Sequence, residues 1–460
     1  MKFIYQIGRF DRNYNQDLNF IYKKTLYPSP LSSISLKRYF NNNATLVLIY
    51  PVSIVYNENA LQSLKDDPFA ININANISDY LAYPKMILKH HPHNVGNEFL
   101  VVHSLGEYTV KKLNVKVDLE ASYDDIVLEI LLDMIERYLE KKNEKNEFYV
   151  DISSGHNIYV AALLEAVKHF SVFSQLMNWQ NKDLRPNIYI TFSDPILGSS
   201  ATQYQIYIQP IEFKALFSSP VKKDDIDLGS GCRLSYRYFK DKEEIKKKLD
   251  EILNQFGIVF SAIKNNSPLA LYHYGCHDLK EIIDILKRII EDIEDKLSKD
   301  WKHSPNLSKD SYLKIILSLG FYAGIAEVLE SNKIQKYGEE GVALNEIKEK
   351  FGSAGNSIYE IFNLHTHVSL SGYEIHNLQH GKGQENKTLI ERACETWEKL
   401  GKYLLYEDET SDFNERNFLA HVGFERTVTE VRKMSDKLYV RYSPGEKTKK
   451  RIELCLKKYM

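Results

Sequence analysis

The 460-residue chain has only four cysteines, Cys232, Cys276, Cys394 and Cys455, far apart and in no paired framework. Thiols so sparse exclude a disulfide scaffold and fit a reducing compartment. No run approaches about 18 uninterrupted apolar residues, so no membrane-spanning helix is expected. The N-terminal MKFIYQIGRFDRNY reads as a strand entering a polar loop rather than a leader. The protein is therefore expected in the cytoplasm, without a membrane partner. Net charge is nearly absent too, at a formal −2, which excludes a uniformly basic nucleic-acid coat. With 43% hydrophobic and 27% charged residues, the chain has the composition of two or three soluble globular domains. It also lacks G-x-G-x-x-G, the Lys-bearing P-loop and H-E-x-x-H, and with them three familiar routes to dinucleotide, nucleoside triphosphate and zinc chemistry.

What is present divides in two. Lys2–Ile7 reads as a strand ending at Gly8, followed by the polar, aromatic loop Arg9, Phe10, Asp11, Arg12, Asn13 and Tyr14. Ala44–Val55 and Asn97–His103 are apolar runs of the kind found in strands buried on both faces. Ser122, with Asp125 three residues later, opens a helix whose stripe is Ile126, Val127, Ile130, Leu131, Met134, Ile135 and Tyr138. Strands Glu147–Ile152 and Asn187–Phe192 flank a helix over Ile158–Phe170, and Thr202–Gln209 alternates as a half-exposed antiparallel edge does. Strand and helix alternate as in a doubly wound α/β sheet. The acidic and then glycine-rich Asp224–Gly231 marks a boundary, beyond which the long segments read as helices.

Between the strand Glu147–Ile152 and its helix stand Ser153, Ser154, Gly155, His156 and Asn157. A Ser/Gly/Asn turn at the C-terminal end of a strand offers backbone N–H groups and a helix N-terminus to an anion. An ordinary βα turn with Ser153 or Ser154 as N-cap is the plainer alternative.

Near the other end, Glu415–His421 (ERNFLAH) brings an acid/base group, a fixed cation and an amide together. Ser411 and Asp412 as caps, Glu415, and the apolar Phe413, Leu419, Val422, Val428 and Val431 predict a helix through this run. On such a helix Asn417 and His421 share a face, with Arg416 roughly 140° around from His421. Ala420 and Gly423 would let a second copy approach, giving a composite dimeric centre. Histidine can carry a proton near neutrality, arginine can hold phosphoryl charge, and Asn417 can orient either, which suits metal-free RNA cleavage.

The run Asp151–Asn157, D-I-S-S-G-H-N, resembles the D-x-[ST]-x-G-x-N signature of CARF domains, the Rossmann-like nucleotide sensors of CRISPR systems. E-R-N-F-L-A-H resembles the HEPN ribonuclease motif R-x4-6-H. End to end, the chain resembles the CARF and HEPN ancillary ribonucleases of type III CRISPR interference. That resemblance implies an α/β CARF domain over 1–217, a linker over 218–240 and an all-α HEPN domain over 241–460, with a loop inserted over 363–385. It implies catalysis by Arg416, Asn417 and His421 on single-stranded RNA, with no cofactor. It also implies cyclic oligoadenylate, as the four-membered ring, held by Gly8, Arg9, Phe10, Tyr14, Ser153, Ser154, Gly155, His156 and Asn157 across a homodimer or a higher oligomer such as a hexamer.

Two rival classes stand beside it. His365, His367, His376 and His380, with His273, Cys276 and His277 upstream, would serve a zinc-dependent hydrolase, and His90, His91 and His93 around Pro92 are a weaker separate candidate, although the expectation is no metal. A CARF sensor joined to a non-catalytic, nucleic-acid-binding regulator is the other. Val342–Phe351 reads as an amphipathic helix and turn, with the start of a winged helix as the alternative. The basic stretch from Val431 on, with Tyr439, Tyr442 and Tyr459, suits an RNA backbone, and a solvated charged face is equally common.

Overall fold

A computed structural model describes the chain except residues 10–15, 57–80, 82–83, 89–90, 95, 111–114, 196–201, 228–230, 235–238, 240–241, 382–386 and 404–411. The chain forms two compact units. The first comprises Met1–Gln175, Asn181–Ala215 and Lys287–Leu313, and the second Leu176–Gln180, Leu216–Leu286 and Lys314–Met460.

In the first unit the apolar runs become strands β1 (Lys2–Ile7), β2 (Leu18–Tyr22), β3 (Thr25–Ser29), β4 (Thr45–Pro51) and β5 (Glu98–Val102). A hairpin of β6 (Leu105–Val110) and β7 (Val115–Glu120) follows, then β8 (Glu147–Asp151), β9 (Asn187–Ser193) and β10 (Tyr204–Ile211). Among the described residues, all of these except the β6–β7 hairpin build an eight-stranded sheet in the order β3-β2-β10-β9-β8-β1-β4-β5. The run β9-β8-β1-β4-β5 is parallel, and β10 lies antiparallel on β9, as its alternating sequence predicts. Ile4, Leu46, Leu48 and Tyr149 face one core layer. On the other, Tyr5 and Phe148 meet Tyr138 and Phe170 of the helices Tyr123–Glu140 and Asn157–Met177. Full burial is worth about 1.5–3 kcal/mol for each such side chain, which is why contiguous apolar runs write this sheet so legibly. Ser122 and Asp125 form the expected reciprocal capping box.

The segment Lys287–Leu313 brings Glu294 into this unit. Burial first, and then the neighbouring Glu136 carboxyl, push Glu294 up to about 8. Between its ordinary value near 4.5 and 8 the folded protein thus holds a proton that the unfolded chain has released. Stability should therefore fall as pH rises through that window. Glu294→Gln should flatten the slope and raise the melting temperature at its alkaline end, and thermal melts of both proteins across the window check this; an unchanged slope rules the group out.

The second unit is mostly helical, with helices Glu243–Lys264, Pro268–Tyr274, Leu344–Phe351, His365–His380 and Glu446–Lys458 among others, and Trp179, Phe217, Phe321 and Phe362 form an aromatic cluster with Phe260 of the first of them. The helix Lys309–Ser331 is long and apolar enough to span a membrane, but 83% of its apolar window is buried, as in a core helix.

Three expectations change here. Asn363–Glu385 is not an open loop, because His365–His380 is helical; burial of Val368, Ser371 and Ile375 outweighs the weak helix preference of its His, Ser and Gly residues. The helical half also contains a four-stranded sheet of Val342–Ala343, Lys437–Tyr442, Thr429–Met434 and Glu398–Lys399. The strand and helix at Val342–Phe351 thus have the pairing hairpin that a winged helix needs. Ser435 and Asp436, at φ 45° and 61°, supply the left-handed pair of a tight hairpin turn. The basic stretch is folded into this sheet and the helix Glu446–Lys458, on which Lys447, Lys449 and Lys450 stay exposed. Arg441 pairs with Glu430 at 2.9 Å, Arg432 and Arg441 lie over the Trp397 ring, and Tyr442 is buried.

Candidate functional site

The ERNFLAH run forms a helix of six residues, Glu415–Ala420, rather than the long one expected. Asn414 caps it, its side chain accepting the Asn417 N–H at 2.9 Å. Of the expected caps, Asp412 instead pairs with Arg451 at 2.5 Å, and Ser411 lies outside the described residues. Glu415 pairs with Lys458 at 2.6 Å rather than closing a capping box. The helix stops because Val422 and Gly423 are left-handed, at φ 56° and 79°. That conformation is uncommon for a β-branched residue and costs about 1–3 kcal/mol when the surroundings impose it. Here the Gly423 N–H reaches back to the Phe418 carbonyl at 2.8 Å, and the Tyr442 hydroxyl donates to the Gly423 carbonyl at 3.1 Å. Val428 and Val431 therefore lie in and beside a strand, not on a helical stripe. Gly423 faces inward as well: a Cβ there would meet the Tyr442 hydroxyl at 3.0 Å and Ser267 at 3.1 Å. The expected Ala420/Gly423 approach face for a second helix is not formed.

The three motif residues nonetheless lie together on this one turn. Arg416 and His421 are exposed and Asn417 is half-buried. His421 closes the helix, its N–H bonded to the Asn417 carbonyl at 3.0 Å. Its ring meets a partner that the sequence reading missed, Glu374 of the helix His365–His380, with Oε2 3.3 Å from Nδ1. Forty-seven residues separate the two; no local spacing signals the pair, and the only hint is a lone acid in HTHVSLSGYEIHNLQH.

The other predicted cluster lies in the first unit, where β1 is flanked by β4 on one side and β8 on the other. Crevices at the carboxyl ends of such strands are the usual ligand sites of open α/β sheets. A cavity of about 720 Å³ opens there, lined by Gly8, Arg9, Tyr56, Tyr108, Ser154, Gly155, His156 and Tyr159 among others. Phe10 and Tyr14 lie outside the described residues.

The turn is shaped by Asp151, whose role the residue reading did not assign. Burial raises its carboxyl above the ordinary range, while hydrogen bonds oppose that shift. It accepts from Gln6 Nε2 (3.0 Å), Ser32 Oγ (3.0 Å), the Ser153 N–H (2.9 Å) and Thr191 Oγ1 (3.1 Å). Ser153 Oγ takes the Ser193 N–H at 2.9 Å, and Ser154 Oγ accepts from Gln6 Nε2 at 3.0 Å. Neither serine acts as the N-cap; the His156 carbonyl accepts from Tyr159 and Val160 instead. Both hydroxyls are thus engaged in holding the turn. Gly155, at φ 117°, leaves no room for a side chain, since a Cβ would lie 2.6 Å from that of Ile7. Gly155, His156 and Asn157 are exposed, and of these Gly155 and His156 line the cavity.

The histidines of the zinc alternative are not gathered. His273 Nδ1 bonds to the Tyr337 hydroxyl at 2.7 Å, His277 to Tyr322 at 3.1 Å and His367 to the Lys264 carbonyl at 2.8 Å. The His376 and His380 rings meet at a tilt of 46°, and His90 lies outside the described residues. Among the described residues no group of three or more His, Cys, Asp or Glu side chains is positioned to hold a metal.

Residues 2–195 match the family model described as CRISPR system endoribonuclease Csx1, CARF domain, and residues 365–445 match its HEPN domain model. The first match spans the SSGHN turn and seven of the eight sheet strands, all but β10, and the second spans Glu374, Arg416 and His421. No curated protein matches the chain.

Proposed function

Because the chain belongs to the CARF and HEPN family of CRISPR ancillary endoribonucleases, we propose that it is a metal-independent endonuclease of single-stranded RNA switched on by cyclic tetra-adenylate. The observation that carries this reading is the exposed Arg416 and His421 on one short turn, inside the HEPN match. His421 takes the proton of a 2′-hydroxyl, the 2′-O–P bond forms, the P–O5′ bond breaks, and the leaving oxygen is protonated. Products carry 2′,3′-cyclic phosphate and 5′-hydroxyl ends. Arg416 meets the charge that grows on the phosphoryl oxygens, where a fixed cation counts most.

In the first unit the ring's phosphates meet backbone N–H groups around Ser154–Asn157 at the start of a 21-residue helix, with Arg9 and His156 at the same cavity. The ring activates by favouring one arrangement of the HEPN helices over another, since a ligand with equal affinity for both shifts nothing. The protein works in the cytoplasm, in keeping with its sparse thiols.

The test is cleavage of labelled single-stranded RNA in excess EDTA, with and without cyclic tetra-adenylate, and analysis of the ends. Activation that survives EDTA and leaves cyclic phosphates supports the proposal. Cleavage abolished by EDTA overturns metal independence, and cleavage indifferent to the ring overturns the activator.

The active species is a homodimer at least. The helix that carries Glu374 also exposes Leu370 (54%) and Tyr373 (63%), an apolar surface beside His421 that suits a second copy. If two copies share one cleft, mixing inactive Arg416→Ala with inactive His421→Ala protein should restore cleavage that neither parent shows. A confirmed mixed dimer as inactive as its parents removes the shared cleft.

A further inference from the structure

We infer that Glu374 is the positioning residue of the catalytic centre, holding His421 in the tautomer protonated at Nδ1 so that Nε2 is the atom that exchanges protons with RNA. This rests on the ribonuclease function proposed for His421, and reassigns the orienting role from Asn417, whose amide is left to the phosphate.

The geometry is set from both sides by backbone. On Glu374's side, Val368, Ser371 and Ile375 bury one stripe of the helix, and Ser371 Oγ donates to Asn266 Oδ1 at 2.6 Å. Gly372 lies directly against Gly352, where a Cβ would meet the Gly352 carbonyl at 2.6 Å, so the helix sits close on its support. Glu374 precedes Ile375 at the edge of the buried stripe, its side chain 23% exposed and its carboxylate toward the surface where His421 lies. On the other side, the bond from the His421 N–H to Asn417 and the left-handed Val422–Gly423 step fix where the imidazole leaves the chain. The resulting Nδ1–Oε2 separation of 3.3 Å is at the long end of a hydrogen bond, as catalytic contacts often are before substrate binds.

An ionised carboxylate only accepts, so the nitrogen facing it must carry the hydrogen. The other ring nitrogen then presents a lone pair, which the 2′-hydroxyl proton can enter as the 2′-O–P bond forms and the P–O5′ bond breaks. A histidine whose carboxylate partner is replaced can adopt the wrong tautomer, which in the serine-protease triad lowers kcat by about 10⁴. The His421 ring is 56% exposed, so water competes with the carboxylate and a smaller effect, about 10²-fold, is expected.

The experiment compares wild type with Glu374→Leu, Glu374→Asp and His421→Ala, measuring kcat and KM for one RNA. Nitrogen-15 spectra of labelled histidine, assigned by the signal lost in His421→Ala, report the tautomer. Expected are a fall of about 10²-fold in kcat for Glu374→Leu with KM within about twofold, partial recovery in Glu374→Asp, and an Nδ1–H signal in wild type that is lost or mixed in Glu374→Leu. Wild-type kcat in folded Glu374→Leu, an Nε2–H tautomer in wild type, or a lower kcat with the tautomer unchanged would each overturn the role. If His421→Ala itself cleaves normally, the ribonuclease assignment has failed first, and the two failures are told apart.

Discussion

His421→Ala and Arg416→Ala should each remove RNA cleavage almost completely, by about 10²- to 10⁴-fold, while the fold survives. Survival is expected because both side chains are exposed and the surrounding turn is held by backbone bonds: Asn417 carbonyl to His421 N–H, Phe418 carbonyl to Gly423 N–H, and the Asn414 cap. The losses should differ in kind. His421 carries a proton in the transition state, whereas Arg416 answers charge that is only partly developed in bound RNA, so Arg416→Ala should also raise KM. Arg416→Lys should recover little, because an ammonium keeps the charge but not the planar fork that fits two phosphoryl oxygens. Single-turnover cleavage with circular dichroism as the fold control decides it; a folded His421→Ala protein cutting at the wild-type rate ends the assignment.

His156→Asp should raise the concentration of cyclic tetra-adenylate needed for half-activation by roughly 10²-fold. Its side chain is exposed at the cavity end of the SSGHN turn, so a carboxylate placed there faces the ring's phosphates. Like charges brought together in an interface cost several kcal/mol, and about 1.4 kcal/mol is a factor of ten. Gly155→Asp should lose activation too, but for a mixed reason: at φ 117° and 2.6 Å from Ile7, a side chain there deforms the turn before any charge is felt. His156→Asp is therefore the cleaner variant. Ring binding by calorimetry and activation by RNA cleavage should weaken in parallel, whereas full activation at the wild-type ring concentration would refute the site.

Several features of this protein were written into short stretches of sequence. The parallel strands could be read because burial on both faces demands contiguous apolar residues, as in Leu46–Tyr50. The helix Tyr123–Glu140 announced itself by its reciprocal cap, and the turn at Ser153–Asn157 by its small polar residues beside a strand end. Arg416, Asn417 and His421, the proposed catalytic trio, lie within six residues, so one short stretch of chain was enough to bring them together.

Tertiary structure decided what local pattern could not. The stretch His365–His380 carries an internal Gly372, a Gly381 at its C-terminal end and many residues of low helix preference, yet buried Val368 and Ile375 and the Gly352–Gly372 contact make it a helix. The run from Glu415 has apolar spacing for a long helix, yet the left-handed Val422–Gly423 step ends it and turns the chain toward a hairpin. Asp151 gathers Gln6, Ser32 and Thr191 from three distant segments, and Glu374 reaches His421 across 47 residues. A hydrogen bond between segments leaves no period in either one, whereas burial of a repeating face does. For that reason the layers, the SSGHN turn and the Arg416, Asn417 and His421 cluster could be read from the sequence, whereas only the packed structure placed Glu374 against His421 and engaged the Ser153 and Ser154 hydroxyls in holding the turn.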